Sequence, residues 1–165
     1  ISGGSSVGTK DLTLKIFETL PDFELLVHGI SISPGKPTII GRSGSKPLIG
    51  LPGHTVSALV VAEVFLSQLI FRLSGNTDFS YKFKAGVQAE LSRNIESAGG
   101  REDYIRVKLR ETGNTLIAEP VFGKSGLIST LVDADGLIRV DMNTEGLYQG
   151  NRVDVMLFNS DGGIL

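Results

Sequence analysis

The hydrophobic pattern changes its period near residue 75, and this change limits the possible folds more than any other feature. Apolar residues lie on nearly all sides of a helical pattern over Thr55–Leu73, which predicts a long helix buried on several faces. Later stretches such as Ile105–Arg110 and Val153–Leu157 alternate apolar and polar residues, which is typical of strands. We therefore expect an α/β part over residues 1–75 and an all-β part over residues 76–165.

The first part also contains shorter elements. A helix is predicted from about Thr9 to Leu20, and Pro21 ends it. Its apolar face consists of Leu12, Ile16, Phe17 and Leu20. The apolar runs that follow are short and bounded by Gly and Pro, which predicts strands. These runs are Glu24–Ile32, Thr38–Gly41 and Pro47–Leu51. The SGS turn at 43–45 predicts a hairpin between the last two, and Gly113-Asn114 predicts another in the all-β part.

Charge and composition exclude several classes of function. The net charge is −2 and there is no cysteine, so nucleic acid is not an expected partner and thiolate, disulfide and Cys-based metal chemistry are absent. The two histidines, His28 and His54, are too few for an ordinary His-rich metal site. A hard cation held by carboxylates and phosphates is still possible. Glu63 and Arg72 interrupt the apolar helix, so we expect it to be a core helix and not a membrane span.

Two Pro-Gly loops carry the clearest functional signal. PGKP occupies residues 34–37, and GLPG occupies residues 50–53 directly before the long helix. A lysine in a loop fixed by Gly and Pro, beside a helix N-terminus, provides a positive charge and free N–H groups for an anion. The N-terminal GGSSVGTKD at 3–11 has the glycine spacing of a P-loop, but Thr9-Lys10 inverts the required order. By itself it is a Gly/Ser loop before a helix.

These motifs resemble those of the molybdopterin molybdenumtransferases (the MoeA and gephyrin E-domain type). ISGGSSVGTKD is similar to that family's TSGGVSVGxxD, and the two loops are similar to KPGKP and GLPGNPVSA. In the all-β part, GGREDYIRV at 99–107 and KSGLISTLVDADGLI at 124–138 resemble GRxDFxRV and GSGxLxSLxxANGLI. Because the pattern begins at the first residues, we expect the chain to be the C-terminal portion of a longer protein.

The resemblance implies a fold and a reaction. Residues 1–75 would be the later half of a MogA-like, pterin-binding α/β domain, and residues 76–165 a C-terminal β-barrel. The family inserts molybdate into adenylylated molybdopterin and releases AMP with Mg²⁺ present, in molybdenum cofactor biosynthesis. The resemblance also implies a cytoplasmic homodimer whose substrates are a pterin and an oxyanion, with the 165 residues inactive alone. Neither nucleic acid nor a membrane is an expected partner.

Site residues follow from the same resemblance. Asp11 and Lys36 match positions with catalytic roles, and Asp11 is also the expected Mg²⁺ ligand. A larger set matches substrate-binding positions: Gly3, Gly4, Ser5, Ser6, Gly8, Pro34, Gly35, Pro52, Gly53, Ser57, Arg101, Ser125 and Ser129.

Two departures from the family pattern support an alternative function. Ser33 replaces the first lysine of KPGKP, and His54-Thr55 replaces Asn-Pro at the start of the long helix. Thr55 can still cap the helix, and His54 is either an added anion donor or a simple substitution. The alternative is a non-catalytic relative that binds an oxyanion or a pterin as a sensor or scaffold.

Overall fold

The chain divides into two compact units, Ile1–Asn76 and Thr77–Leu165. The computed structural model describes residues 12–76, 86–123 and 132–158. In the first unit, helix α1 (Leu12–Glu18) precedes strands β1 (Phe23–His28), β2 (Ile32–Ser33), β3 (Ile39–Ser43) and β4 (Lys46–Gly50). Helix α2 then spans Thr55–Leu73.

A three-stranded antiparallel sheet in the order β1-β3-β4 forms the centre of this unit. β3 and β4 are joined by the predicted SGS turn and pair from Ile39↔Gly50 to Ser43↔Lys46, so the predicted hairpin is confirmed. The run expected to be one strand from Glu24 to Ile32 ends as a strand at His28. Gly29 then turns the backbone with a φ of 87°, which ends the extended conformation.

Helix α1 buries only part of the predicted face. Thr13 and Phe17 are 2% and 1% exposed, whereas Leu12 and Ile16 are 61% and 50% exposed. Gly50 explains the shift, because a Cβ built there would lie only 2.9 Å from Thr13 Cγ2. The missing side chain leaves a space that the small Thr13 fills, and Phe17 packs with its ring centroid 6.0 Å from that of Phe23.

Helix α2 runs without a break but contains a π-helical segment, Ala62–Leu66. Its first half is buried, with Val56, Val60 and Val61 all 0% exposed. Its last turn is not, because Ile70 and Leu73 are more than half exposed. By length and composition the helix could cross a membrane, and 28% of its most apolar 18-residue window is buried. Core helices pass the same test of length and composition.

A closed β-barrel forms the second unit. The strands described in this unit are β5 (Val87–Leu91), β6 (Ile95–Glu96), β7 (Glu102–Thr112), β8 (Thr115–Pro120), β9 (Gly136–Val140), β10 (Gly146–Leu147) and β11 (Arg152–Leu157). Of these, β6 and β10 pair with each other in a separate two-stranded sheet. The barrel follows the order β7-β8-β5-β11-β9, and β9 closes it by pairing with β7. β5 and β8 are parallel, while the other barrel pairs are antiparallel.

The alternating pattern places apolar side chains inside the barrel, as predicted. Val107, Ile138 and Val155 are at most 1% exposed and belong to one buried cluster, against which Ile105 and Leu109 pack. The β7–β8 hairpin turns at Gly113-Asn114 and pairs from Thr112↔Thr115 to Val107↔Pro120. The α/β part and the β-barrel of the predicted fold class are therefore confirmed. Residues 159–165, expected to be a loose tail, lie outside the described residues.

The buried face of α1 can be tested by truncation. Phe17→Ala should lower the free energy of unfolding by about 3–5 kcal/mol, because it empties a fully buried aromatic site. Ile16→Ala on the same helix turn is the control and should change that free energy by about 0.5 kcal/mol or less, as at other exposed positions. Both are measured by denaturant unfolding. A larger loss for Ile16→Ala than for Phe17→Ala would show that Ile16, and not Phe17, lies against the core.

Candidate functional site

The PGKP loop is a tight turn whose lysine faces solvent. Pro34 to Pro37 form the turn between β2 and β3. Lys36 is exposed, and its side chain makes no ion pair or hydrogen bond with any residue that the structure describes. Its backbone carbonyl, in contrast, accepts hydrogen bonds from the N–H groups of Ile30 and Thr38, both at 2.9 Å. The loop is therefore ordered by its backbone while its positive charge is available to a ligand.

Gly35 sits where no side chain would fit. Its φ is 134°, and a Cβ there would lie 2.7 Å from Ile32 Cδ1 and 2.8 Å from Val61 Cγ2. The backbone of the loop is thus pressed against the side of helix α2. Val61 lies six residues after Thr55, so this contact is about 9 Å along the helix from its N-terminus. From the sequence we also predict that the Lys36 side chain points toward the same cleft as residues 3–8 and the start of the Thr55 helix. Residues 3–8 lie outside the described ranges, so this stays a prediction.

The GLPG loop leads directly into α2. Pro52 is buried, Gly53 is exposed, and Ser57 in the first helical turn is 5% exposed. The sequence suggested Thr55 as the N-cap, but the N-cap is His54. The first helical hydrogen bond runs from the Ala58 N–H to the His54 carbonyl at 2.9 Å. His54 makes no side-chain capping hydrogen bond. The His54 side chain therefore leaves the first-turn N–H groups of α2 without a capping hydrogen bond from the N-cap residue.

One glycine brings the start of α1 to the GLPG loop. Gly50 begins that loop, and it touches Thr13 in the first turn of α1 as described above. The chain just before α1 carries the N-terminal motif with Asp11. The motif residues Gly3, Gly4, Ser5, Ser6, Gly8 and Asp11 themselves lie outside the described residues. Their roles stay predictions.

In the barrel, the predicted residue Arg101 is already engaged by a carboxylate. Its Nε donates to Asp103 Oδ1 at 3.0 Å, and the Ser97 hydroxyl donates to Asp103 Oδ2 at 2.6 Å. Asp103 is 4% exposed, so Arg101 partly compensates a buried negative charge. Nearby, burial and the hydrogen bond to Glu102 raise the pKa of the Tyr104 phenol. Ser125 and Ser129 lie outside the described residues.

Arg106 is a candidate anion ligand that the sequence did not single out. It lies on β7 between Ile105 and Val107, which pack toward the barrel core, so its side chain leaves the opposite face. It is 9% exposed, and burial lowers the pKa of its guanidinium. Nη2 donates to the Gly123 carbonyl at 3.1 Å, whereas Nε and Nη1 are buried and have no hydrogen-bond partner among the residues that the structure describes. In the sequence, Arg106 belongs to the GGREDYIRV motif, and the motif alone assigned it no role.

Buried donors without an acceptor are costly, about 1–3 kcal/mol each and more for a charged group. Each of these N–H groups can donate to an oxyanion, but Nε and Nη1 lie on different edges of the guanidinium and do not form one bidentate fork. Each unit therefore contributes a cation with unused donors, Lys36 in the first and Arg106 in the second. Over residues 12–76, 86–123 and 132–158, no three His, Asp or Glu side chains are grouped so that they could hold a metal ion.

Comparison with known families agrees with this division. Residues 1–72 match the family model described as a probable molybdopterin binding domain, and residues 88–158 match that of the MoeA C-terminal region, domain IV.

Individual relatives cover nearly the whole chain. A putative molybdopterin biosynthesis protein of Methanocaldococcus jannaschii is 35% identical over 95% of this chain and 35% of its own length. A molybdopterin molybdenumtransferase of Haemophilus influenzae is 31% identical over 96% of this chain and 39% of its own. The crystal structure of a molybdopterin biosynthesis MoeA protein from Pyrococcus horikoshii matches with a TM-score of 0.75 at 36% identity, over 96% of this chain and 36% of that one. The chain thus spans little more than a third of the length of these relatives.

The unused donors of Arg106 can be tested with a tetrahedral oxyanion. Arg106→Met should leave the melting temperature unchanged or raise it in anion-free buffer, because the costly buried N–H groups are removed. We expect molybdate or sulfate to raise the melting temperature of the unmodified protein by binding the folded state. Arg106→Met should reduce this rise and leave the part that is due to Lys36. Arg110→Met is the matched control on the same strand, since Arg110 is exposed and paired with Glu119 at 2.8 Å. A rise in Arg106→Met as large as that in Arg110→Met would contradict this assignment.

Proposed function

The chain belongs to the MoeA family of molybdopterin biosynthesis proteins, and on that premise we propose that it forms part of a molybdopterin molybdenumtransferase. The intact protein would insert molybdate into adenylylated molybdopterin and release AMP. The observation that carries this proposal is the exposed Lys36, held in an ordered loop without a partner among the described residues. A transferase needs such a charge to hold a tetrahedral dianion next to a phosphorylated pterin.

The described residues would act as electrostatic clamps. Lys36 would neutralise charge on the oxyanion or on the substrate's phosphate, and the first-turn N–H groups of α2 would add donors beside the GLPG loop. Arg106, whose Nε and Nη1 have no partner in the part of the chain that the structure describes, would bind an anionic group in its own unit. Exchange of AMP for molybdate requires no nucleophile from the protein, which agrees with a chain that has no cysteine.

The role of Mg²⁺ is proposed from the family alone. The family resemblance assigns the ion to Asp11, and the described residues contain no cluster of carboxylates that fits it. The proposal therefore derives no step through magnesium. A cytoplasmic homodimer, with a pterin and an oxyanion as substrates, is proposed on the same basis.

A non-catalytic sensor or scaffold is the second candidate. It is favoured by Ser33, which leaves Lys36 as the sole cation of the PGKP segment, and by His54 at a helix start that has no side-chain cap. The two functions differ in their product. The intact protein, incubated with adenylylated molybdopterin and molybdate, should release AMP in a molybdate-dependent manner if it is the transferase. Binding of both compounds without AMP release would favour the sensor.

Lys36 provides the sharper test of the site. In the intact protein, Lys36→Ala should weaken binding of molybdate or adenylylated molybdopterin by about 1.5–3 kcal/mol, the usual range for a hydrogen bond to a charged group. This corresponds to a rise in Kd of about 10–150-fold by calorimetric titration. Lys46→Ala is the matched control, because Lys46 is an exposed lysine of the neighbouring hairpin. The melting temperatures of both variants should stay close to that of the unmodified protein.

Equal affinities of Lys36→Ala and Lys46→Ala for the anion would show that Lys36 does not contact it. Ser33→Lys should act in the opposite direction and strengthen anion binding, because it adds the charge that the family pattern has at this position.

A further inference from the structure

We propose that Thr38 is the positioning residue of this site and acts by fixing the direction of the Lys36 side chain. This inference rests on the proposed function, since it assumes that Lys36 contacts the anion. It starts from a side chain that the motif comparison did not single out. Thr38 is 0% exposed, and its hydroxyl donates a 2.7 Å hydrogen bond to the carbonyl of Gly35.

The two peptide planes that flank the Lys36 Cα are both held by hydrogen bonds. The plane before it carries the Gly35 carbonyl, which accepts from Thr38 Oγ1. The plane after it carries the Lys36 carbonyl, which accepts from the N–H groups of Thr38 and Ile30. Because each peptide unit is planar, holding both carbonyls fixes φ and ψ of Lys36. The direction of its Cα–Cβ bond is then fixed as well.

The sequence around Lys36 adds to this restraint. Pro37 follows it, and a residue before proline is restricted to extended conformations. Gly35 precedes it and lies against Ile32 and Val61 without room for a Cβ, so the loop cannot move toward the helix. Thr38 contacts both flanking carbonyls, with its hydroxyl donating to one and its N–H donating to the other.

A fixed direction matters because a free lysine loses considerable rotamer entropy when it binds. Fixing the backbone does not remove the freedom of the side chain, but it places the ammonium group within a limited region before the anion arrives. Preorganisation of this kind improves affinity by lowering the cost of binding. Without the Thr38 hydroxyl, the Gly35 carbonyl loses its partner and the first peptide plane can rotate.

The test is calorimetric titration of the intact protein with molybdate. Thr38→Val keeps the side-chain shape and removes the donor, so it should weaken binding about tenfold. Thr38→Ser keeps the hydroxyl and should restore affinity to within about twofold of the unmodified protein. Thr19→Val is the matched control, because the Thr19 hydroxyl makes the same kind of 2.7 Å bond to the carbonyl three residues earlier, that of Ile16, on an exposed helix end.

A double-mutant cycle with Lys36→Ala separates positioning from a general structural role. If Thr38 acts through Lys36, Thr38→Val should have no further effect on affinity in the Lys36→Ala background. Equal effects in both backgrounds, or unchanged affinity in Thr38→Val alone, would overturn the proposal. If Thr38→Val does not fold, Thr38→Cys replaces it in the test, because a cysteine thiol keeps a weak donor. Its affinity for molybdate must then lie between the affinities of Thr38→Ser and Lys36→Ala. Any other order for the cysteine variant also overturns it.

The outcomes distinguish this inference from the proposed function. Loss of affinity in Lys36→Ala with unchanged affinity in Thr38→Val rejects the positioning role and leaves the function standing. Unchanged affinity in Lys36→Ala rejects the site itself, whatever Thr38→Val does.

Discussion

The first unit depends on two close approaches that only glycine permits. At Gly50 the end of strand β4 touches Thr13 of α1, and at Gly35 the PGKP turn touches Val61 of α2. A Cβ at either position would come within 3 Å of a neighbouring side chain, so the elements could not meet at these distances. These contacts bring the GLPG loop to the start of α1 and hold the Lys36 turn against a rigid helix. The candidate site is therefore built on the sheet and the helices and not on free loops.

Charge is handled differently in the two units. In the first unit, hydrogen bonds of the backbone order the loop while the Lys36 side chain is exposed. Water therefore solvates the ammonium group at little cost in stability until a ligand displaces that water. In the barrel, Arg106 is buried with two donors that have no acceptor among the described residues, an arrangement that is costly without a ligand. Natural proteins often accept lower stability at a functional site in exchange for activity. Arg101, paired with the buried Asp103, shows the ordinary structural arrangement a few residues away.

The family relationship and the physical features support each other without overlapping. Family models match each of the two parts, and they account for the presence of the loops and the barrel. They do not explain what fixes the direction of the Lys36 side chain. They also do not explain why Arg101 is paired with a carboxylate, whereas two donors of Arg106 have no acceptor among the described residues. The hydrogen bonds of Thr38 and the unused donors of Arg106 address those questions in physical terms.

Local patterns were sufficient for much of the fold and for the loops of the candidate site. Turn residues and period-2 alternation located both hairpins and the barrel strands β7 and β11, because strand faces and turn conformations depend on short stretches of chain. The sequence also identified PGKP and GLPG, since Pro and Gly restrict the backbone wherever they stand. On α1 it placed Phe17 correctly in the core, but Leu12 and Ile16 are exposed and Thr13 is buried instead. Only the tertiary structure shows that Gly50 leaves a space that Thr13 fills. It also shows that Arg101 pairs with Asp103, whereas two buried donors of Arg106 have no partner among the described residues, because the burial of each guanidinium depends on segments distant in the chain.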